Sequence, residues 1–162
     1  MSAADPLAAS EPASETPRTG DGGRSELAFL AESMHAEADA VRRLAERVRT
    51  SDGARWRDAL DLLERCRGHV VVSGIGKSGL VGAKVSATFS SLGQPSSLLH
   101  PSEAVHGDLG RVRRGDVVML LSYSGETAEV VDLALILKAD EMPTIGICRD
   151  ESSSLARACT VT

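Results

Sequence analysis

From Glu26 to Arg49, apolar residues recur every three or four positions, at Leu27, Leu30, Met34, Ala38, Val41, Ala45 and Val48. That period predicts one long amphipathic helix. Its single apolar stripe calls for a cover, either the sheet of the following domain or a partner subunit. Acidic residues share the polar face, which counts against a membrane-surface role. A second helix is expected over about Ser51 to Arg67, turning Trp56, Leu60, Leu63 and Cys66 inward.

The pattern then shifts from the helical period to short apolar runs. Val70-Val71-Val72, Ser96 to Leu99, Asp116 to Leu121 and Pro143 to Cys148 each predict a strand. Between them, Ser78 to Leu92 and Glu126 to Ala139 read as helices, the second with Val130, Leu133, Ala134 and Leu137 on its core side. A short helix from about Ser152 to Ala158 follows the fourth strand, and Thr160-Val161-Thr162 is expected to begin a fifth. Strands that are apolar throughout and alternate with helices predict an α/β fold, a doubly wound parallel sheet covered on both faces. Before Ser25 the periodicity vanishes. Residues 1–24 contain Leu7 as their one large aliphatic side chain and are expected to form a disordered tail ahead of a domain spanning 25–162.

Composition narrows this picture. A chain of 162 residues is enough for one compact domain, and 42% hydrophobic content supports a real core. Only 2% is aromatic, so that core is built from Val, Leu, Ile and Ala. The formal net charge of −5 argues against a nucleic-acid partner, because no basic excess neutralises phosphates and few rings can stack on bases. Arg111, Arg113 and Arg114 read as a solvated turn. Cys66, Cys148 and Cys159 lie far apart and match no metal spacing, which predicts reduced thiols in a cytoplasmic protein. No signal-peptide pattern and no apolar run of membrane-spanning length is present in the sequence.

Two loops carry candidate chemistry. After the first strand, Gly74, Gly76 and Gly79 satisfy G-x-G-x-x-G, while Lys77-Ser78 looks like the end of a triphosphate loop. A triphosphate loop needs another glycine five residues before Gly76, where Val71 stands. A dinucleotide needs an acid near the tip of the second strand, yet that strand ends Leu98-Leu99-His100 and the first acid is Glu103. The dinucleotide reading keeps only half of its signature.

After the third strand comes "SYSGETAE", Ser122 to Glu129, leading into a helix. Hydroxyls at the carboxyl end of a parallel strand, together with the amides of a helix start, make a cradle for one phosphate group. Helix capping by Ser124 or Thr127 stands beside this reading and accounts for one hydroxyl. Two such turns on neighbouring strands suit a small ligand with a single phosphate. The candidate binding residues are Gly76, Ser78, Ser122, Ser124, Gly125 and Thr127, with Lys77 close by.

"GIGKSG", "HPSEAVHGDLG" and "SYSGETAE", in this order and spacing, resemble the sugar isomerase (SIS) domain of arabinose 5-phosphate isomerases of the KpsF/GutQ type. The resemblance runs from about Glu26 to Thr162, and the segment His100 to Gly110 is its most specific part. It implies a flavodoxin-like domain that interconverts D-ribulose 5-phosphate and D-arabinose 5-phosphate through an enediolate, with no cofactor and no catalytic metal. It also implies a homo-oligomer, dimer or tetramer, with active sites shared between subunits. Glu129 matches the family's base, although a first-turn acid favoured by the helix dipole reads the same way. Lys77 would stabilise the sugar oxygens or the enediolate, and His106 would contact the sugar and assist ring opening. His100 and Glu103 are expected to shape the same loop. Tyr123 stands where the family commonly has asparagine. The family places a further catalytic glutamate, a further histidine and usually two CBS modules after the position of Thr162, so the chain is expected to hold the domain without its C-terminal part. The rival from another class is a non-catalytic regulatory module that binds sugar phosphate. Phosphoheptose and hexulose phosphate isomerases lack the His100–Gly110 segment.

Overall fold

In a computed structural model, which describes residues 25–162, four parallel strands form one sheet in the order β2-β1-β3-β4. These are β1 (Val70–Gly74), β2 (Ser96–Leu98), β3 (Val117–Leu121) and β4 (Thr144–Ile147). The helices are α1 (Glu26–Arg49), α2 (Gly53–Arg65), α3 (Gly76–Ser91), α4 (Pro101–Val105), α5 (Ala128–Ala139) and α6 (Ser154–Ala158). The tail expected over residues 1–24 lies outside the described residues. The chain divides into two compact units, one ending at Arg43 and one running from Leu44 to Thr162.

The described part of the first unit is the amino-terminal portion of α1. Its predicted stripe forms as a helix face but stays open to solvent, with Leu27, Leu30, Met34 and Val41 all exposed. None of the described helices is long and apolar enough to cross a membrane.

The second unit contains the sheet, and strand alternation divides its core into two layers. Val70 and Val72 of β1 with Val117, Met119 and Leu121 of β3 point to one face, where Ala59, Leu62 and Leu63 of α2 and Val85 and Phe89 of α3 cover them. Val71, Val118 and Leu120 point to the other, under Ala104 of α4, Val130, Leu133, Ala134 and Leu137 of α5, and Leu155 and Ala158 of α6. Every residue of β3 is buried, as a central parallel strand requires. The predicted inner face of α5 is the observed one. The α2 expectation is corrected in part: Cys66 is buried and Leu63 half-buried, but Trp56 and Leu60 remain 44% and 46% exposed. Of the expected stripe Leu63 reaches the sheet, together with Ala59 and Leu62, whereas Trp56 and Leu60 lie farther from it.

Two further corrections concern the site. The helix expected from Ser78 begins at Gly76, so Gly76 and Lys77 occupy its first turn. The segment read as a loop between His100 and Gly110 contains helix α4, with Pro101 at its start, and a 3₁₀ turn over Asp108–Arg111. The expected fifth strand is present as its first contact, a parallel bridge between Ile145 and Val161.

Candidate active site

The strand order reverses direction between β1 and β3: the chain moves from β1 outward to β2 on one side, then returns to build β3 and β4 on the other. Such a switch point opens a crevice at the carboxyl ends of the strands. Gly74 pairs with Leu121, so the turn after β1 and the loop after β3 leave the sheet side by side. The close fit at this seam explains two glycines. A Cβ on Gly79 would lie 2.7 Å from the Gly74 carbonyl oxygen, and one on Gly74 would lie 3.0 Å from that of Leu121. Helix α3 can start against the strand end only because both side chains are absent.

Helices α3 and α5 both begin at this edge, and their dipoles bring partial positive charge to it. Among the described residues, no acceptor pairs with the backbone amides of Lys77 and Ser78 or of Ala128 and Glu129. These are the unpaired donors that a helix start presents to an anion.

The Ser122–Thr127 loop is internally braced. The Ser122 and Thr127 hydroxyls lie 2.8 Å apart, and the Gly125 amide donates to both the Ser122 carbonyl and its hydroxyl, at 3.1 and 3.2 Å. Thr127 occupies the N-cap position of α5, yet its hydroxyl makes no capping bond. Capping therefore does not account for Thr127. Ser124 is exposed and accepts from the Glu126 amide at 3.2 Å, a local turn bond. Gly125 has φ +73°, and a Cβ there would meet the Ser153 hydroxyl at 2.2 Å. Bonds from outside anchor the loop: Ser122 donates its amide to the Ile147 carbonyl at 3.1 Å, Arg149 its amide to the Tyr123 carbonyl at 3.0 Å, Leu155 its amide to the Gly125 carbonyl at 3.0 Å, and Ser154 its amide to the Glu126 carboxylate at 2.8 Å. Those bonds from Ser154, backbone first, and then the Arg157 charge hold the Glu126 carboxyl below its ordinary value.

Three adjacent strands each release one of the expected catalytic residues. Lys77 follows β1 in the first turn of α3, Glu129 follows β3 in the first turn of α5, and His106 ends α4, which follows β2. All three are exposed, and among the described residues no hydrogen bond or ion pair joins them to one another. Gly76 and Ser78 lie in the same first turn as Lys77, Gly76 at φ +58°. Asp108 opens the 3₁₀ turn and pairs with Arg111 at 3.1 Å. Two features escaped the sequence reading. The Arg149 guanidinium lies over the exposed Tyr123 ring, 5.3 Å from its centroid, at the rim of the loop. Ser73, next to the first glycine of the turn, is buried; its run of valines gave no hint of a polar role. Among the described residues, no cluster of His, Cys, Asp and Glu is arranged to hold a metal ion.

A parallel α/β domain with two open helix starts side by side at its switch point is the class of protein that these features define. The model of the family described as SIS domain matches residues 62–162. Arabinose 5-phosphate isomerase KpsF of Escherichia coli O6:H1 (strain CFT073) is 40% identical over 131 residues, covering 81% of this chain and 39% of that protein. Arabinose 5-phosphate isomerase KdsD of Escherichia coli (strain K12) is 51% identical over 96 residues, 59% of this chain and 29% of its own length. Among solved structures, the c3406 protein of E. coli CFT073 in complex with arabinose 5-phosphate superposes with a TM-score of 0.73 at 41% identity, over 86% of this chain and 73% of that one. The chain belongs to the SIS-domain family. It spans well under half the length of the curated relatives it matches.

Proposed function

We propose that this chain is the sugar-phosphate-binding and catalytic domain of an aldose–ketose isomerase that interconverts D-ribulose 5-phosphate and D-arabinose 5-phosphate. The observation that carries the reading is the braced hydroxyl loop Ser122–Thr127 at the start of α5, beside the open first turn of α3. One phosphoryl group fits this arrangement: hydroxyl donors, unpaired amides and two helix dipoles converge on it, and Lys77 adds a full positive charge. The 40–51% identity to the arabinose 5-phosphate isomerases supports the choice of sugar, as does the sugar phosphate bound to the structural neighbour.

Moving the carbonyl between C1 and C2 requires a base that removes the proton beside the carbonyl and a group that stabilises the enediolate. Glu129 is assigned as the base, Lys77 as the electrostatic partner of the enediolate oxygens, and His106 as a contact to the sugar that assists ring opening. Gly76, Ser78, Ser122, Ser124, Gly125 and Thr127 bind the phosphate end. The working unit is a cytoplasmic homo-oligomer, and residues 25–162 act as one SIS domain in it.

The test is direct. Purified chain incubated with D-ribulose 5-phosphate should yield D-arabinose 5-phosphate, read by chromatography of the sugar phosphates. Binding of arabinose 5-phosphate without any product would replace the catalytic reading with that of a regulatory binding module. Absence of both would sink the proposal.

A further inference from the structure

Buried hydroxyls in this domain are paired with one exception among the described residues. Ser86 bonds Ser96 at 2.8 Å, Thr144 bonds Thr160 at 3.3 Å, Ser122 bonds Thr127, and Ser153 caps α6. The Ser73 hydroxyl alone has no partner, although the residue is only 1% exposed. An unpaired buried hydroxyl destabilises a fold, and native proteins keep few of them.

Its position supplies a reason. Ser73 is the penultimate residue of β1, at the switch point, opposite Leu120 of β3. Alternation along β1 sends it to the side of Val71, the face covered by α4 and α5, which pack on each other there. Ser122 continues the Val118–Leu120 alternation of β3 to that same face. The lone hydroxyl thus lies at the strand end between the helix that finishes at His106 and the helix that Thr127 opens.

We infer that Ser73 is a further ligand-binding residue of this site, its hydroxyl donating a hydrogen bond to an oxygen of the bound sugar phosphate. The inference rests on the sugar-phosphate reading above. Ser73 is buried in this structure, so ligand entry has to uncover its hydroxyl.

Ser73→Ala and Ser73→Cys test this, by thermal melts without ligand and by isothermal titration with D-arabinose 5-phosphate. Alanine removes a polar group that bonds to nothing in the fold, so its melting temperature should equal or exceed that of the wild type. Its Kd should rise about tenfold, the effect of one lost hydrogen bond. Cysteine, similar in size but a weak donor, should weaken binding in the same direction. A lower melting temperature with unchanged Kd in both variants would make Ser73 structural and overturn the inference. If the wild type binds and Ser73→Ala binds equally well, only the Ser73 assignment fails. A wild-type chain that does not bind arabinose 5-phosphate overturns the functional reading and this inference together.

Discussion

The hydroxyls of Ser122 and Thr127, five positions apart in the chain, lie 2.8 Å from each other, and the Gly125 amide donates to the Ser122 hydroxyl. One hydroxyl of the pair donates to the other, which holds both beside the amino terminus of α5. Ser122→Ala should therefore abolish the thermal shift given by arabinose 5-phosphate, with Kd rising at least about tenfold. Thr127→Ser keeps the hydroxyl and should retain binding within about threefold. Equal binding by Ser122→Ala and wild type would remove the loop from the site.

Glu129 is exposed in the first turn of α5. Glu129→Gln should fold normally and keep its affinity for sugar phosphate. Its turnover should fall by about 10²–10⁴, the usual contribution of a general base. Undiminished product formation would assign the proton transfer to another group.

Gly125 combines a left-handed backbone with a Cβ position 2.2 Å from the Ser153 hydroxyl. Alanine there meets backbone strain and overpacking together, a loss of about 2–5 kcal/mol. Chemical denaturation of Gly125→Ala should show that loss, and sugar-phosphate binding should go with it. By contrast Ser124→Ala, at the exposed tip, should alter stability by less than about 0.5 kcal/mol.

Hydrogen bonds from Ser154 hold the Glu126 carboxyl below its ordinary value of 4.5. A carboxyl whose folded pKa lies below its unfolded one contributes stability above the unfolded value, and that contribution disappears as pH falls through the folded one. Asp150, bonded by Ser152, and Glu151, bonded by Arg55, shift the same way. The melting temperature should accordingly be flat from neutral pH to about pH 5 and decline below it. In Glu126→Gln the acid decline should be shallower. Identical slopes in the two proteins would show that the Ser154 bond does not persist in solution.

Burial pushes the Cys159 thiol up to about 11. At pH 8 it is almost wholly protonated, and the thiolate is the reactive form. Iodoacetamide should leave Cys159 unmodified in the native protein and label it once denaturant is added, as read by peptide mass spectrometry. Rapid native labelling would place the residue outside the core.

Sequence patterning was a good guide where one face of an element is buried. The four positions expected on the core side of α5 are its four buried residues, and the valines of β1 divide between two layers as alternation demands. It was a poor guide where the cover decides. Trp56 and Leu60 obey the helix period, but period carries no information about which stripe meets the sheet. Helix α4 has five residues, too few for a period to show. In the site, the Ser122–Thr127 loop was legible because its hydroxyls are neighbours in sequence. The unpaired state of Ser73 was not, since it depends on what β3, α4 and α5 leave unoffered around one atom.

The contact between Gly79 and the Gly74 carbonyl changes how the glycine spacing of this turn should be understood. Read along the chain, Gly74, Gly76 and Gly79 advertise a pyrophosphate. Read in space, the outer two are a steric joint, with the hydrogen of each glycine filling the gap a methyl group could not. Glycine spacing alone thus registers how tightly a strand hands over to a helix, and a cofactor inferred from it needs a separate chemical witness.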